Sequence, residues 1–377
     1  MRVLITSVAL PGHFFPLVPL AWALRSSGHD VLVAVPETFV PTAARSGLPV
    51  VSCVPEADFV RLSADGGGDR IPRGQERSLV HGRFFGRLAA AGLRGVRSLA
   101  ESWKPDLVLS ERAEFAGRIA AAERDIPFVE LQWGVARLDD YVAGATVELA
   151  AELAAAGQSA LPEPAEVLCQ WPPSLRLPHT GLFRTLRYVP YNGDAHVPAW
   201  ALGPAGARTI CVTMGTLIPR LGPDGVRELI LPMLESLAEL DVELLVAVDD
   251  AVVAGWPRLP DAVRFAGRLP LAQVLPHCSA AISHGGEGST LTAFVSGCPQ
   301  LILPQFDDQF DNAAAVEQAG AGLGLPPDEL TPAAVARQCR KLLDDPRFAR
   351  SAERVAAEIA AQPSVLEIVG TLEKLTG

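Results

Sequence analysis

The stretch AAISHGGEGSTL, residues 280–291, gathers one histidine and three glycines, with the hydroxyls of Ser289 and Thr290 after them. An apolar run stops at Ser283 and His284, and another follows Thr290. The pattern predicts a strand, a glycine turn and then a helix. Glycine lets a backbone approach a ligand closely. The first N–H groups of a helix have no intrahelical partner and lie at the positive end of its dipole. Ser289 and Thr290 add hydroxyls and His284 an imidazole. Together these suit a phosphate or diphosphate. A plain strand-to-helix turn requires neither the histidine nor both hydroxyls.

Three further places carry chemistry. SVALPGHF, residues 7–14, sets His13 just before an expected helix over 14–27. A helix start disfavours imidazolium, and a neutral imidazole at a cleft can act as a general base. The segment contains neither G-x-G-x-x-G nor Gly-Lys-Ser/Thr, so dinucleotide and P-loop binding lack their usual warrant. TMGTLIP, residues 213–219, offers Gly215 and Thr216 as a weak anion site. In QFDDQFDNAAAV, residues 305–316, Asp308 and Gln309 precede an expected helix over 311–318. A carboxylate beside an amide can bind several hydroxyls. The acid pairs Asp139–Asp140, Asp249–Asp250 and Asp307–Asp308 read as solvated loop acids, without a further ligand group at metal-site spacing. The triplet Gly66–Gly68 reads as an exposed loop, since no strand leads into it.

Alternating elements must position these residues. Strands are expected at 2–7, 29–35, 49–53, 107–110 and 128–131, with helices at 14–27 and 143–156. Residues 157–180 are proline-rich and read as irregular. The pattern restarts with strands at 208–213, 244–248, 263–266, 280–283 and 301–303. Helices are expected at 225–240, 271–276, 289–296 and 311–318, with one amphipathic region over 337–361. Strands alternating with helices imply βαβ units and parallel sheets. The expected fold class is α/β, with two doubly wound Rossmann-like domains facing each other across a cleft. The domains are 1–190 and 208–362, the linker is 191–207, and a last helix lies in 363–377. Ligands of such sheets bind beyond the carboxyl ends of the strands.

Composition sets the outer bounds. The 377 residues are 49% hydrophobic and 20% charged, a globular composition long enough for two domains. A net charge of −11 without a Lys/Arg-rich stretch excludes a nucleic-acid footprint. No run of ~20 apolar residues is present, so no membrane span is expected. MRVLITSVAL reads as a first strand and not a signal peptide. The six cysteines form no C-x-x-C pair, so reduced thiols and a cytoplasmic location are expected. A homodimer is left open.

Residues 267–322 resemble the nucleotide-sugar signature of GT-B family 1 glycosyltransferases. The order is L-P after a strand, H-G-G-x-G-S/T, A-x-x-x-G-x-P-Q, then D-Q-x-x-N-A. GHFFPLVPLAWALRSSGHDV resembles the family's opening strand–histidine–helix. RYVPYNG, residues 187–193, with VPAW resembles the interdomain segment of actinomycete antibiotic glycosyltransferases. The resemblance implies an inverting, metal-independent transferase without a cofactor. It would move a deoxysugar from a thymidine diphosphate sugar to a hydroxyl of an apolar polyketide or related aglycone. It implies a role for each position. His284, Gly286, Gly288, Ser289, Thr290, Gly215 and Thr216 would hold the diphosphate. Arg268 and Leu269 would flank the base, and Asp308 and Gln309 the sugar. His13 would be the acceptor-side base with Glu111 behind it. An acceptor pocket around Phe59, Phe84, Phe85, Trp133 and Tyr141 is expected; the same residues could equally form core. A C-glycosyltransferase would use the same donor and His13 to activate a phenol. A nucleotide-sugar 2-epimerase needs an acid cluster that is not found here. Intact His13, His284, Asp308 and Gln309 argue against a non-catalytic partner.

Overall fold

The strands are short and rich in Val, Ile and Leu, and those at the centre of each sheet are buried on both faces, as parallel sheets covered by helices require. The computed structural model describes residues 1–54, 74–194, 196–202, 208–215, 223–305 and 307–377. Phe59, Thr216 and the Gly66–Gly68 triplet lie outside the described residues.

The first sheet contains β1 (Arg2–Thr6), β2 (Asp30–Pro36), β3 (Val50–Val54), β4 (Leu107–Glu111), β5 (Phe128–Gln132), β6 (Glu166–Cys169) and β7 (Arg184–Thr185). Its order is β3-β2-β1-β4-β5-β6-β7. The second contains β8 (Thr209–Thr213), β9 (Glu243–Ala247), β10 (Val263–Gly267), β11 (Ala280–Ser283), β12 (Gln300–Ile302) and β13 (Gly322–Gly324), ordered β10-β9-β8-β11-β12-β13. All the pairings are parallel, including β1 with β4 and β8 with β11. The winding direction reverses between β1 and β4 in one sheet and between β8 and β11 in the other. At such a switch point the two connecting loops diverge and leave a crevice.

β6, β7 and β13 are additions to the expected strands. β7 has two residues and β13 three, two of them glycine. Neither is long enough to show periodicity. The expected helical region over 337–361 is two helices, Pro332–Asp344 and Pro346–Ala360. Pro346 cannot continue a hydrogen-bonded turn, and the Asp345 carboxylate accepts from Arg347 N to start the next helix.

The 30-residue helix Gly74–Trp103 is also absent from the sequence expectations. Glycines at 82, 86, 92 and 95 lower its helix propensity. Two of them face helix Asp139–Glu148. A Cβ at Gly82 would stand 2.3 Å from the Tyr141 carbonyl oxygen, and one at Gly86 would stand 3.0 Å from Ala145 Cα. Gly144 answers from the other side, 2.3 Å from the Leu79 carbonyl. Helix Gly74–Trp103 therefore lies backbone to backbone against helix Asp139–Glu148.

The halves share an apolar seam. Trp171 and Tyr188 pack with Leu291, Phe294, Val355 and Ile359 in one buried cluster. After Pro363 a capping box of Ser364 and Glu367 starts helix Val365–Leu372. Its Ile368, Val369 and Leu372 join the core of the first sheet beside Leu17, Leu20 and Leu24. Pro346–Leu375 is long and apolar enough on average to cross a membrane, in contrast to the reading by runs. It is interrupted at Pro363, and its apolar residues Val355, Ile359, Ile368 and Leu372 are buried in protein. All six cysteines are free, with Cys53 and Cys278 part-exposed.

Candidate active site

His13 and Glu111 lie at the carboxyl ends of β1 and β4, the two strands of the first switch point. β1 ends at Thr6, and His13 lies in the four-residue helix Pro11–Phe14. Glu111 is the last residue of β4, with 0% side-chain exposure. His13 Nδ1 stands 3.1 Å from Glu111 Oε2. That is hydrogen-bonding distance, but the ring nitrogen is not aimed at the oxygen. Such pairs commonly tighten when substrate binds. The helical stretch begins slightly earlier than expected: Pro11–Phe14 runs on through the 3-10 turn Phe15–Leu17 into helix Val18–Ser26, so His13 sits in its first turn. Phe85 and Trp133 pack on its ring, with centroids 5.5 and 4.9 Å away.

Burial alone would raise the Glu111 pKa. The facing His13, Trp133 Nε1 donating at 2.7 Å and Ala113 N at 2.8 Å outweigh it, and the net pKa is lowered. Glu111 is thus a fixed anion behind the imidazole. It favours the tautomer with a proton on Nδ1, which leaves Nε2 basic. Glu114, three residues on, behaves differently. Burial raises its pKa, and its oxygens are occupied by Ser110, Ala116 N and Gly117 N.

The second switch point carries the glycine turn. Gly215 follows β8 and His284 follows β11. The His284 ring lies between two glycines. A Cβ at Gly215 would be 2.5 Å from its Cε1, and one at Gly286 would be 2.4 Å from its Nε2. These glycines therefore make room for the imidazole as much as for a ligand. The residue is part-exposed, and burial of its ring pushes the pKa down to about 4. It is neutral at pH 7 and can donate one N–H.

The helix begins at Glu287, two residues before the expected start, with Gly286 as its cap. Thr290 N donates to Gly286 O, so the N–H groups of Glu287, Gly288 and Ser289 precede the first intrahelical bond. Gly288 and Ser289 are part-exposed at this end. Thr290 differs from expectation. It is wholly buried, its N–H is used within the helix, and its hydroxyl faces the interior.

The two switch points are joined by contacts that the sequence does not announce. Glu287 turns from its helix to accept from Trp171 Nε1 at 3.1 Å and from the backbone N–H of Gly134. Gly134 directly follows Trp133, the ring on His13. At φ +70°, a Cβ on Gly134 would be 3.0 Å from Asp308 Oδ2. Asn312 closes the junction by donating to Asp308 Oδ2 at 2.9 Å and to Gly285 O at 2.8 Å. It accepts from Val135 N at 3.2 Å. Burial pushes Glu287 up to about 8. Burial and then Asp307 push Asp308 up to about 7, against Asn312, Arg112 and His13. A glutamate inside a glycine turn was the one available signal for this junction.

The chain matches the family described as Erythromycin biosynthesis protein CIII-like, its N-terminal domain over residues 22–215 and its C-terminal domain over 231–375. It is 39% identical over 371 residues to an L-demethylnoviosyl transferase of Streptomyces niveus, covering 97% of this chain and 95% of that one. The chain belongs to this glycosyltransferase family. Among solved structures, glycosyltransferase SsfS6 of Streptomyces sp. SF2575, complexed with thymidine diphosphate, has a TM-score of 0.86. It is 34% identical, with 99% of each chain covered. The spinosyn rhamnosyltransferase SpnG, complexed with spinosyn aglycone, has a TM-score of 0.87. It is 31% identical, with 99% of this chain and 100% of that one covered. The transferase has their GT-B fold.

The remaining sequence candidates of the transferase fall into three groups. Asp308 and Gln309 lie in the first turn of helix Asp308–Gln318, not in a loop before it. Asp308 is part-exposed at the junction. Gln309 is buried, and its side-chain oxygen accepts from Gln305 N at 2.9 Å, bracing the preceding loop. Arg268 follows β10 and reaches the linker, with NH2 3.4 Å from Asp194 Oδ1. Its guanidinium forms an exposed ion pair there. Leu269 is buried. Phe84, Phe85, Trp133 and Tyr141 are all buried. Only Phe85 and Trp133 touch His13, and the Tyr141 hydroxyl is committed to Asp307 at 2.8 Å.

Proposed function

We propose that the enzyme transfers a deoxysugar from a thymidine diphosphate sugar to a hydroxyl of a polyketide or related aglycone, inverting the anomeric carbon. The observation that carries this is the continuous run His13, Trp133, Gly134, Asp308, which joins the two switch points. A base at His13 and a sugar-binding carboxyl at Asp308 would then lie on either side of one junction. The thymidine diphosphate in SsfS6 and the aglycone in SpnG support the two substrate classes. Residues 1–190 would take the acceptor and 208–362 the donor.

The chemistry follows from the site. As the anomeric C–O bond breaks, negative charge grows on the leaving diphosphate. Neutral His284 and the free N–H groups at Gly288 and Ser289 can meet it without reorganising. A strong preorganised donor is worth about 3–4 kcal/mol in comparable oxyanion sites. On the other side Nε2 of His13 takes the acceptor proton as the hydroxyl oxygen attacks C1 from the opposite face. Glu111 then faces an imidazolium, which its negative charge stabilises. Attack opposite the leaving group inverts C1. Part-exposed Asp308 can accept a hydrogen bond from a sugar hydroxyl, or donate one when protonated. No divalent metal takes part in this scheme, because helix N–H groups and His284 bear the charge.

Replacing His284 with alanine is expected to weaken thymidine diphosphate binding at least tenfold. Isothermal titration in EDTA measures this. Wild-type binding that disappears in EDTA would contradict the metal-free cradle, and an unaltered dissociation constant in the variant would remove His284 from it.

A further inference from the structure

We propose that Asp307 is a positioning residue, a clasp from the donor-side loop to the acceptor-side helices that sets Asp308 and Gln309 opposite His13. This rests on the sugar-side placement of Asp308 and Gln309 proposed above. Asp307 belongs to the second domain, yet its carboxylate is bound by the first. His81 Nδ1 lies 2.6 Å from Oδ2, and the Tyr141 hydroxyl donates to the same oxygen at 2.8 Å. Arg77 Nε stands 3.7 Å from Oδ1. The Asp307 side chain is only 9% exposed.

Two local costs show that these contacts decide its conformation. Asp307 caps helix Asp308–Gln318, where an aspartate ordinarily accepts from the helix's first N–H groups. Its side chain makes no such bond. Its backbone holds φ +53° and ψ −128°, a region that non-glycine residues avoid. Strain of this kind persists only where surrounding contacts over-determine it. Here the carboxylate forgoes its own helix and reaches across the junction.

The far end of the clasp is rigid and tied to the base. His81 stands beside Gly82, where helix Gly74–Trp103 meets the Tyr141 backbone. Phe85 is one helical turn further on, on the same face. It packs on both Tyr141 and His13, with centroids 5.8 and 5.5 Å away. Asp307 thus grips the same turn that carries the ring against His13. Its neighbour Asp308 abuts Gly134.

Asp307→Gly and Asp307→Asn test this. Glycine removes the carboxylate and relieves the backbone strain. Asparagine keeps an acceptor for His81 and Tyr141. The acceptor and donor are whichever pair gives product with the wild type. For Asp307→Gly, kcat is expected to fall at least tenfold. Its Tm should not drop, and its Kd for thymidine diphosphate should stay within twofold. Asparagine should restore kcat to within about threefold of wild type. Backbone amides of residues 134–136 and 308–312 should exchange at least fivefold faster in Asp307→Gly. A merely structural aspartate would instead give a lower Tm with weakened nucleotide binding. That result, or unchanged exchange, or a kcat within twofold of wild type, would overturn the clasp. If the wild type forms no product, the functional proposal fails, and exchange alone decides the clasp.

Discussion

His13→Ala is expected to lower kcat for transfer to a hydroxyl acceptor by about 10²–10⁴-fold, the range for a positioned general base. Glu111, the carboxylate beside it, cannot replace it. Glu111 is fully buried and already accepts from Trp133 and Ala113 N, so it cannot swing to the acceptor. Its lowered pKa also makes it a poor proton acceptor. Thymidine diphosphate affinity should stay within about twofold, because His13 belongs to the first sheet and the glycine turn to the second. Steady-state kinetics with parallel calorimetry measures both quantities. Full turnover in the variant would remove His13 from the chemistry.

Glu287→Gln is expected to change how stability depends on pH by a few kcal/mol. Burial raises the Glu287 carboxyl from 4.5 to about 8. Between those values the folded state holds a proton that the unfolded chain has released. The stability this group contributes is full below about pH 4.5, declines as pH rises, and is lost above about pH 8. A gap of three or more units corresponds to roughly 4 kcal/mol. Asp308 shifts in the same direction, from 3.8 to about 7, but it is present in both proteins. Glutamine keeps an oxygen for Gly134 N and Trp171 Nε1 and does not titrate. Urea unfolding should therefore show near-equal stabilities at pH 5 and a more stable variant at pH 8.5. A difference that stays flat with pH would contradict a buried, proton-holding Glu287. The protonated form also has a chemical consequence. A neutral side chain at the first helical position does not compete with diphosphate for the helix terminus.

The legible parts of this protein were local. Strands such as Ala280–Ser283 lie where an apolar run meets a glycine turn, because burial on both faces leaves a continuous apolar stretch. The doubly wound order follows from alternation, and the switch points then place His13 near Glu111 and Gly215 near His284. What the sequence hid was long-range. Gly82 and Gly144 look like helix breakers until the two helices are seen in backbone contact. Glu287 looks like a solvated acid until Gly134 and Trp171 are seen to bind it. Asp307 reads as half of an acidic pair, yet it is held by His81, more than two hundred residues earlier in the chain. Arg268, expected to flank a nucleobase, pairs with Asp194 in the linker. Each is a contact between residues far apart in the chain, which local periodicity does not encode.

The most direct test is NMR of the product formed by the wild-type enzyme, with a panel of thymidine diphosphate sugars offered to aromatic and macrolide aglycones. A glycoside joined through oxygen, with anomeric configuration opposite to the donor's, is the expected result. A product that retains the donor's configuration would contradict in-line attack assisted by His13 across the junction of the two switch points.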